Sequence, residues 1–393
     1  MKRYTGTIST GIRTPIVKAG DNLADIVYDS VVKAVDENNI KINDKDVVCI
    51  TESLLARSQN NYATIEQIAK DVSNKFESDE IAVVFPILSR NRFSVMLRAF
   101  AKTGKKLHIL LSFPQDEVGN HIMDERKLYG SNVNPYTDVL EEDEFRELFG
   151  EYKHEFTGID YIKLYKEIAP NSEIHLTNDA TNALKYTDSV IVASIHTREF
   201  IKEQLKDKGA KAVYGLDEIM TESVDGSGYN SDYGLLGSNL SDENRVKLFP
   251  RDGQGFVEDL QQRFNEKYGK NLEVMVYGDG AFKDPVGKIW ELADPVVSPF
   301  HTKGLVGTPN EIKIKYVADN ELKDLSDEKL NEMMIKKIKE KKKDLKGTNE
   351  TLGTTPRRIT DLLGSLADLT SGSGDKGTPV ILIQGYFDNY SND

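Results

Sequence analysis

Asp279 is the carboxylate of this sequence with the local setting best suited to chemistry. It stands between Gly278 and Gly280, directly after an apolar segment that predicts a strand over residues 272–277. A carboxylate at the carboxyl end of a strand faces the crevice in which open α/β sheets bind ligands, and neighbouring glycines let a phosphate or a metal approach the backbone. Because Asp and Gly are also common turn residues, a plain turn is the alternative.

A second candidate is the glycine-rich segment from Ser371 to Thr378, which contains Lys376. Its backbone N–H groups and its lysine could hold a phosphate. It is not a Walker A loop, because the order Gly-x4-Gly-Lys-[Ser/Thr] is absent. A flexible linker is the alternative, but the strand predicted from Val380 onward favours an ordered loop.

Two further carboxylates, Asp225 and Asp116, lie in segments that also contain glycine and asparagine. Ligand sets made only of oxygen atoms suit Mg²⁺ or Mn²⁺, so each is a candidate metal ligand. The six histidines show no metal-ligand spacing, and we expect most of them to be structural or exposed. No Gly-x-Ser-x-Gly nucleophile elbow is present.

The elements that must position these residues alternate between strands and helices. Periodicity predicts helices over residues 23–35, 65–76, 93–101, 198–208, 256–268 and 359–369, and strands over residues 47–51, 81–85, 107–111, 189–193, 212–214, 272–277 and 380–383. The strand, helix and strand between residues 189 and 214 form a βαβ unit, for which parallel pairing is expected. We therefore predict a mixed α/β fold with a separate α/β subdomain in the middle of the chain.

Composition narrows the classes of function. The 393 residues suggest two or three domains, and a net charge of −13 argues against general nucleic-acid binding. No apolar run is long enough for a membrane-spanning helix. The single cysteine, Cys49, excludes an internal disulfide and a cysteine-rich zinc site. With no apolar segment at the N-terminus, these features predict a cytoplasmic protein.

Taken in order, five segments resemble the coenzyme F-420 gamma-glutamyl ligases. Those enzymes use GTP and a divalent metal to join glutamate to a phospholactyl-deazaflavin through an amide bond. Residues 14–23 are similar to the family pattern L-P-x-I-x-x-G-D-D-L, and residues 46–57 to G-D-V-V-V-V-T-S-K-I-V-S-K. The other three segments, which match L-L-P-x-D-P, I-S-D-T and D-E-L-A…M-G-Q-A-D-x-G-x-P-V, are residues 247–252, 276–280 and 359–380.

The resemblance implies a role for each matching position. Asp279 would be a metal ligand, and so would Asp225, since residues 224–227 resemble [I/V]-D-x-S-N; Asp116 is the rival. Lys376 would stabilise charge on the transferring group, and Asn230 would contact the nucleotide. The remaining nucleotide-site residues would be Thr14, Pro15, Ile16, Val17, Glu52, Ser53, Arg57, Ser371, Gly372, Ser373, Gly374, Asp375, Gly377 and Thr378.

The resemblance also implies a division of the chain. Residues 1–111 and 223–393 would form a two-domain ligase core, and residues 112–222 would be an inserted α/β subdomain. The chain departs from the family at Gly280, where the family has Thr, at Ser373, where it has Gln, and at Glu52-Ser53, where it has Ser-Lys.

We therefore expect a GTP- or ATP-dependent amide ligase, a gamma-glutamyl ligase that forms an acyl phosphate. Its partners would be a small-molecule acceptor, glutamate, the nucleotide and Mg²⁺ or Mn²⁺, with no nucleic acid and no membrane, and it would be a homodimer. The departures motivate an alternative, a nucleotide- or metal-binding sensor of the same fold that has lost catalysis. A deazaflavin-dependent redox enzyme is a third possibility, without a cofactor fingerprint to support it.

Overall fold

A computed structural model describes residues 4–278, 281–283, 290–292, 298–354, 357–371 and 374–392. The predicted mixed α/β fold is confirmed. None of the described helices is long and apolar enough to cross a bilayer. The strands are β1 (Ile8–Ile12), β2 (Val47–Thr51), β3 (Tyr62–Thr64), β4 (Glu80–Val84), β5 (Lys106–Leu111), β6 (Leu140–Glu141), β7 (Ser172–Leu176), β8 (Ser189–Val192), β9 (Ala212–Gly215), β10 (Asn239–Asp242), β11 (Arg245–Lys247), β12 (Glu273–Tyr277), β13 (Ala281–Lys283), β14 (Trp290–Leu292) and β15 (Val380–Gln384). The helices are α1 (Leu23–Glu37), α2 (Glu52–Ser58), α3 (Ile65–Lys75), α4 (Phe93–Lys102), α5 (Glu125–Tyr129), α6 (Glu142–Phe149), α7 (Tyr161–Ile168), α8 (Arg198–Asp207), α9 (Gln254–Tyr268), α10 (Ile314–Asn320), α11 (Asp327–Lys339) and α12 (Ile359–Ser371).

The first sheet has the strand order β1-β15-β2-β12. Strand β2 pairs in parallel with β12, and β15 lies antiparallel between β1 and β2. The continuous apolar run of β2 is typical of a strand that is covered on both faces. Val48 and Ile50 pack with α1 and α9 on one face, while Val47 and Cys49 pack with α12 on the other.

The second sheet has the strand order β6-β7-β5-β4-β8-β9, and all of its pairings are parallel except that of β6 with β7. Helices α3, α4, α6 and α7 contribute to the core on one face. Helix α8 and a short 3-10 helix, Ala180–Lys185, cover the other face. The predicted βαβ unit is confirmed, since β8 and β9 pair in parallel and are joined by α8.

The division of the chain between the two sheets differs from the predicted one. Strands β4 and β5, expected in a core that ends at residue 111, are central strands of the second sheet. The larger core around that sheet takes residues from Ala63 to Leu248, and the core between the first sheet, α1 and α9 takes residues from Ile12 to Leu55 and from Val257 to Leu382. The division between the two cores therefore does not fall at the predicted boundaries, residues 112 and 222. Local periodicity finds a buried strand but does not tell which sheet it joins.

The position of Cys49 in the middle of β2 gives a chemical test of the first sheet. Its side chain is fully buried, and desolvation raises the pKa of the thiol. The thiolate is the reactive species. We therefore expect the native protein not to react with a thiol-specific disulfide reagent, and the unfolded protein to release one equivalent of the reagent's coloured thiol. Absorbance after reagent addition, with and without denaturant, measures this. Native labelling at the rate of a free thiol would contradict the burial of β2.

Candidate active site at one edge of the first sheet

The ends of four strands meet at one edge of the first sheet. The carboxyl ends of the parallel strands β2 and β12 lie side by side, with Thr51 opposite Tyr277. Strand β15 begins at this edge because it runs antiparallel to its neighbours, so that Val380 lies opposite both Ile12 and Ile50. The segments that follow β1, β2 and β12 and the segment that precedes β15 are thus brought together.

The glycine-rich segment before β15 is held on two sides. The backbone N–H of Thr51 donates to the carbonyl oxygen of Pro379 at 3.1 Å. The hydroxyl of Thr378 donates to the carbonyl oxygen of Ser371, at the end of α12, at 2.9 Å. The described part of this segment is therefore an ordered loop that closes one side of the sheet edge. An ordered loop was expected here because a strand was predicted directly after it.

A cavity of about 450 Å³ lies at this edge. Most of the residues that the resemblance assigned to the nucleotide line it, namely Thr14, Pro15, Ile16, Val17, Glu52, Ser53, Arg57, Ser371, Gly374, Gly377 and Thr378. Asp375 and Lys376 lie in the same loop, but their side chains are exposed and do not line the cavity. Asp279, Gly280, Gly372 and Ser373 lie outside the described residues.

A buried ion pair forms part of the cavity wall. The ammonium of Lys247 donates to Oε1 of Glu52 at 3.0 Å and to the hydroxyl of Ser53 at 2.7 Å. Ser53 stands where the family pattern has lysine. Lys247 of strand β11 therefore places a positive charge beside Ser53, where the family pattern has a lysine and this chain does not. Arg57 adds a second, exposed cation to the cavity.

Sequence reasoning gave no site role to five polar residues that line the cavity, namely Thr51, Asn239, Lys247, Tyr277 and Asp368. Asn239 and Lys247 are cross-strand neighbours in β10 and β11. Lys247 stands in the segment that resembles L-L-P-x-D-P, but nothing in the sequence showed which way its side chain points. The Ser-Asn end of the pattern D-x-S-N also occurs at Ser238-Asn239, where Leu236 stands in the place of the aspartate.

Asp225 and Asn230, expected at the nucleotide and metal site, do not line the cavity. The exposed carboxylate of Asp225 accepts from the ammonium of Lys70, which lies 2.7 Å from each oxygen. The buried amide of Asn230 donates to the carbonyl oxygen of Pro250 and accepts from the N–H groups of Asp232 and Tyr233. Asn230 therefore holds its own loop, and its contact with the nucleotide stays a prediction.

Asp116, the rival metal ligand, is buried in the turn that follows strand β5 of the second sheet. Its carboxylate accepts from the N–H groups of Leu88, Val118 and Asn120 and from the side-chain amide of Asn120. Burial raises the pKa of Asp116 to about 6, although these hydrogen bonds oppose the shift. The carboxylate ties the turn after β5 to the segment after β4, and it does not line the cavity.

A family model described as F420-0:Gamma-glutamyl ligase matches residues 11–385. The chain belongs to the F420-0:gamma-glutamyl ligase family, and this membership supports a ligase role in coenzyme F420 biosynthesis. No curated protein matches the sequence at a significant level.

The different settings of Asn230 and Asp225 predict different effects on stability. Asn230→Ala leaves buried backbone groups without partners, so we expect the free energy of unfolding to fall by about 1–3 kcal/mol. Asp225→Asn removes an exposed ion pair, keeps a side chain suited to the positive φ of this residue, and should change it by less than about 1 kcal/mol. Urea unfolding monitored by circular dichroism measures both. Equal losses in the two variants would show that the loop is not held as described.

Proposed function

We propose that this protein is a GTP- or ATP-dependent amide ligase that joins the amine of glutamate to a carboxylate-bearing, cofactor-like acceptor, as a gamma-glutamyl ligase does. The observation that carries the proposal is the meeting of residues 13–17, 51–57 and 374–379 at one sheet edge, around a cavity of about 450 Å³, in a member of a ligase family. That volume is in the usual range of small-molecule sites.

The proposed reaction follows from the chemistry of amide formation. A carboxylate is a poor electrophile, so one of its oxygens first attacks the γ-phosphorus of the nucleotide. The bond from that phosphorus to the bridging oxygen breaks, the nucleoside diphosphate leaves and an acyl phosphate forms. The amine nitrogen of glutamate then attacks the acyl carbon, phosphate leaves, and the nitrogen gives up its proton to a base, solvent or side chain.

The cations of the cavity give the chain its part in this reaction. Negative charge on the phosphate oxygens grows and moves during transfer, and fixed donors in a site with little water stabilise it most strongly. Lys247 is suited to this role because Glu52 and Ser53 hold its ammonium in place. Arg57 and the N–H groups of residues 374–378 would bind the rest of the triphosphate, and the exposed Lys376 would act at the mouth of the cavity.

A divalent cation in the cavity would bind to the carboxylates there. Asp368 and Glu52 line the cavity, and Glu52 is paired with Lys247; Tyr277, two residues before Asp279, lines it too. Asp225 and Asp116 are held elsewhere by Lys70 and by backbone N–H groups. We therefore assign Mg²⁺ or Mn²⁺ to Asp279 and Asp368. When bound, the cation would neutralise phosphate charge.

Turnover separates the ligase from the sensor that the departures at Gly280 and Ser373 motivate. The protein is incubated with F420-0, glutamate, Mg²⁺ and either GTP or ATP. A ligase releases nucleoside diphosphate in proportion to a product heavier by one glutamyl residue, measured by chromatography and mass spectrometry. Nucleotide binding without diphosphate release, for this acceptor and for other carboxylic acids, would reject the ligase and favour the sensor.

The role of Lys247 gives a mutational prediction. Lys247→Met should lower kcat by about 10²–10³-fold, the usual cost of removing one fixed donor from a transferring group. Lys247→Arg should restore part of the activity, because it keeps the charge. Lys70→Met is the matched control, since Lys70 pairs with Asp225 outside the cavity and its loss should leave kcat unchanged. Steady-state rates of diphosphate release measure all three.

A double variant separates chemistry from folding. Removing Lys247 alone leaves the buried Glu52 without its ammonium partner, which costs stability on the order of 3–5 kcal/mol. The variant Glu52→Gln/Lys247→Met removes both charges, so its thermal stability should return toward that of the wild type while its kcat stays low. Recovery of kcat together with stability would show that Lys247 acts only on the fold.

A further inference from the structure

A second polar cluster, none of whose residues lines the cavity, lies on the second sheet. His108 in β5 and His175 in β7 are both buried, and the parallel pairing of these strands sets Glu173 beside His108. The distance from Nδ1 of His108 to Nε2 of His175 is 3.2 Å, and the distance from Nδ1 of His108 to a carboxylate oxygen of Glu173 is 3.3 Å. One ligand atom from each of the three residues lies within 4.8 Å of the others.

The outer nitrogens of both imidazoles face carboxylates. Nδ1 of His175 lies 2.7 Å from an oxygen of Glu141, and Nε2 of His108 lies 3.4 Å from an oxygen of Glu80. When these outer nitrogens donate to the carboxylates, the inner nitrogens carry lone pairs. Two imidazole lone pairs and the carboxylate of Glu173 then lie within 4.8 Å of one another, and a cation among them removes their repulsion. Without a cation, one inner nitrogen carries a proton and donates to the other across the 3.2 Å separation. Metal-binding histidines usually have such a carboxylate behind them.

The surroundings fix the geometry of the cluster. The ring of Tyr186 stacks on His175 and on His108, with centroid distances of 3.9 and 4.9 Å, and its hydroxyl donates to Glu141 at 3.0 Å. Lys106 lies 2.9 Å from the other oxygen of Glu173. Three carboxylates and one ammonium therefore surround the two imidazoles, and the excess of negative charge favours a cation.

We propose that His108, His175 and Glu173 form a Zn²⁺ site on the second sheet, with solvent in the fourth position. Zn²⁺ binds imidazole nitrogen and carboxylate oxygen at about 2.0–2.2 Å, so tetrahedral ligand atoms lie about 3.3 Å apart. Two of the separations already have this value. The third closes by rotation of the Glu173 side chain, which is about half exposed. Two imidazoles and one carboxylate suit Zn²⁺ better than Mg²⁺, which prefers oxygen ligands.

Calorimetry on the chelator-treated full chain tests the site. Excess Mg²⁺ is present throughout to occupy the oxygen sites that the ligase proposal needs, so failure of that proposal does not affect this readout. We expect one equivalent of Zn²⁺ to bind, and Co²⁺ to bind with the visible absorption of a tetrahedral complex. Glu173→Gln and His175→Ala should abolish this binding. Glu141→Gln should weaken it about 10–100-fold, as loss of a carboxylate behind a ligand does.

Two control variants make the result specific. His196→Ala removes an exposed histidine outside the cluster and should leave Zn²⁺ affinity unchanged. Lys106→Met removes the ammonium from Glu173 without removing a ligand, and should not weaken binding. If circular dichroism shows that His175→Ala does not fold, the result for Glu173→Gln decides the test. The side chain of Glu173 is half exposed, so its replacement is expected to leave the fold intact. Absence of Zn²⁺ binding to the wild type, or binding that survives Glu173→Gln unchanged, would overturn the proposal.

Discussion

The position of β15, antiparallel between β1 and β2, is the constraint on which the candidate site depends. Because β15 runs against its neighbours, it starts where β1 and β2 end, and the glycine-rich loop before it faces the segments after them. The hydrogen bond from Thr51 to Pro379 fixes that meeting. Residues from the beginning, the middle and the end of the chain thus line one cavity, and the packing of α1, α9 and α12 on this sheet keeps the edge in place.

The ion pair of Lys247 and Glu52 joins helix α2, which follows the first sheet, to strand β11 at the wall of the same cavity. Glu52 begins α2 directly after a strand of the first sheet, while Lys247 ends β11, which pairs with β3. Taking two charges out of water is costly, and a buried pair often adds little to stability. Stability alone therefore does not explain why this pair is buried here. A positive charge held beside the cavity does have a use, because it can stabilise the charge of a phosphate group. This is why we place Lys247 in the function and not only in the fold.

The sequence predicted the elements well and the assembly less well. Apolar runs such as Val47–Thr51 and periodic segments such as that of α9 appear where expected, because burial dictates their patterns. Part of the cavity lining was also anticipated, because the order of the motifs assigned residues 14–17, Glu52, Ser53 and Arg57 to one site. Strand pairing, which no local pattern encodes, decides how the chain is divided between the two sheets. It also decides which way the Lys247 side chain points and what Asp225 contacts. His108 and His175 are 67 residues apart, and only the pairing of β5 with β7 brings them together.

Hydrogen–deuterium exchange with and without nucleotide and Mg²⁺ tests the central claim most directly, because it locates the nucleotide without any substitution. The account predicts slower exchange in residues 13–17, 51–57 and 374–379, and no change in the segments around Asp225 and Asp116. The comparison of GTP with ATP on the same peptides shows which base the cavity prefers. Protection confined to residues 116–120 or 225–230, with the edge of the first sheet unchanged, would contradict the account.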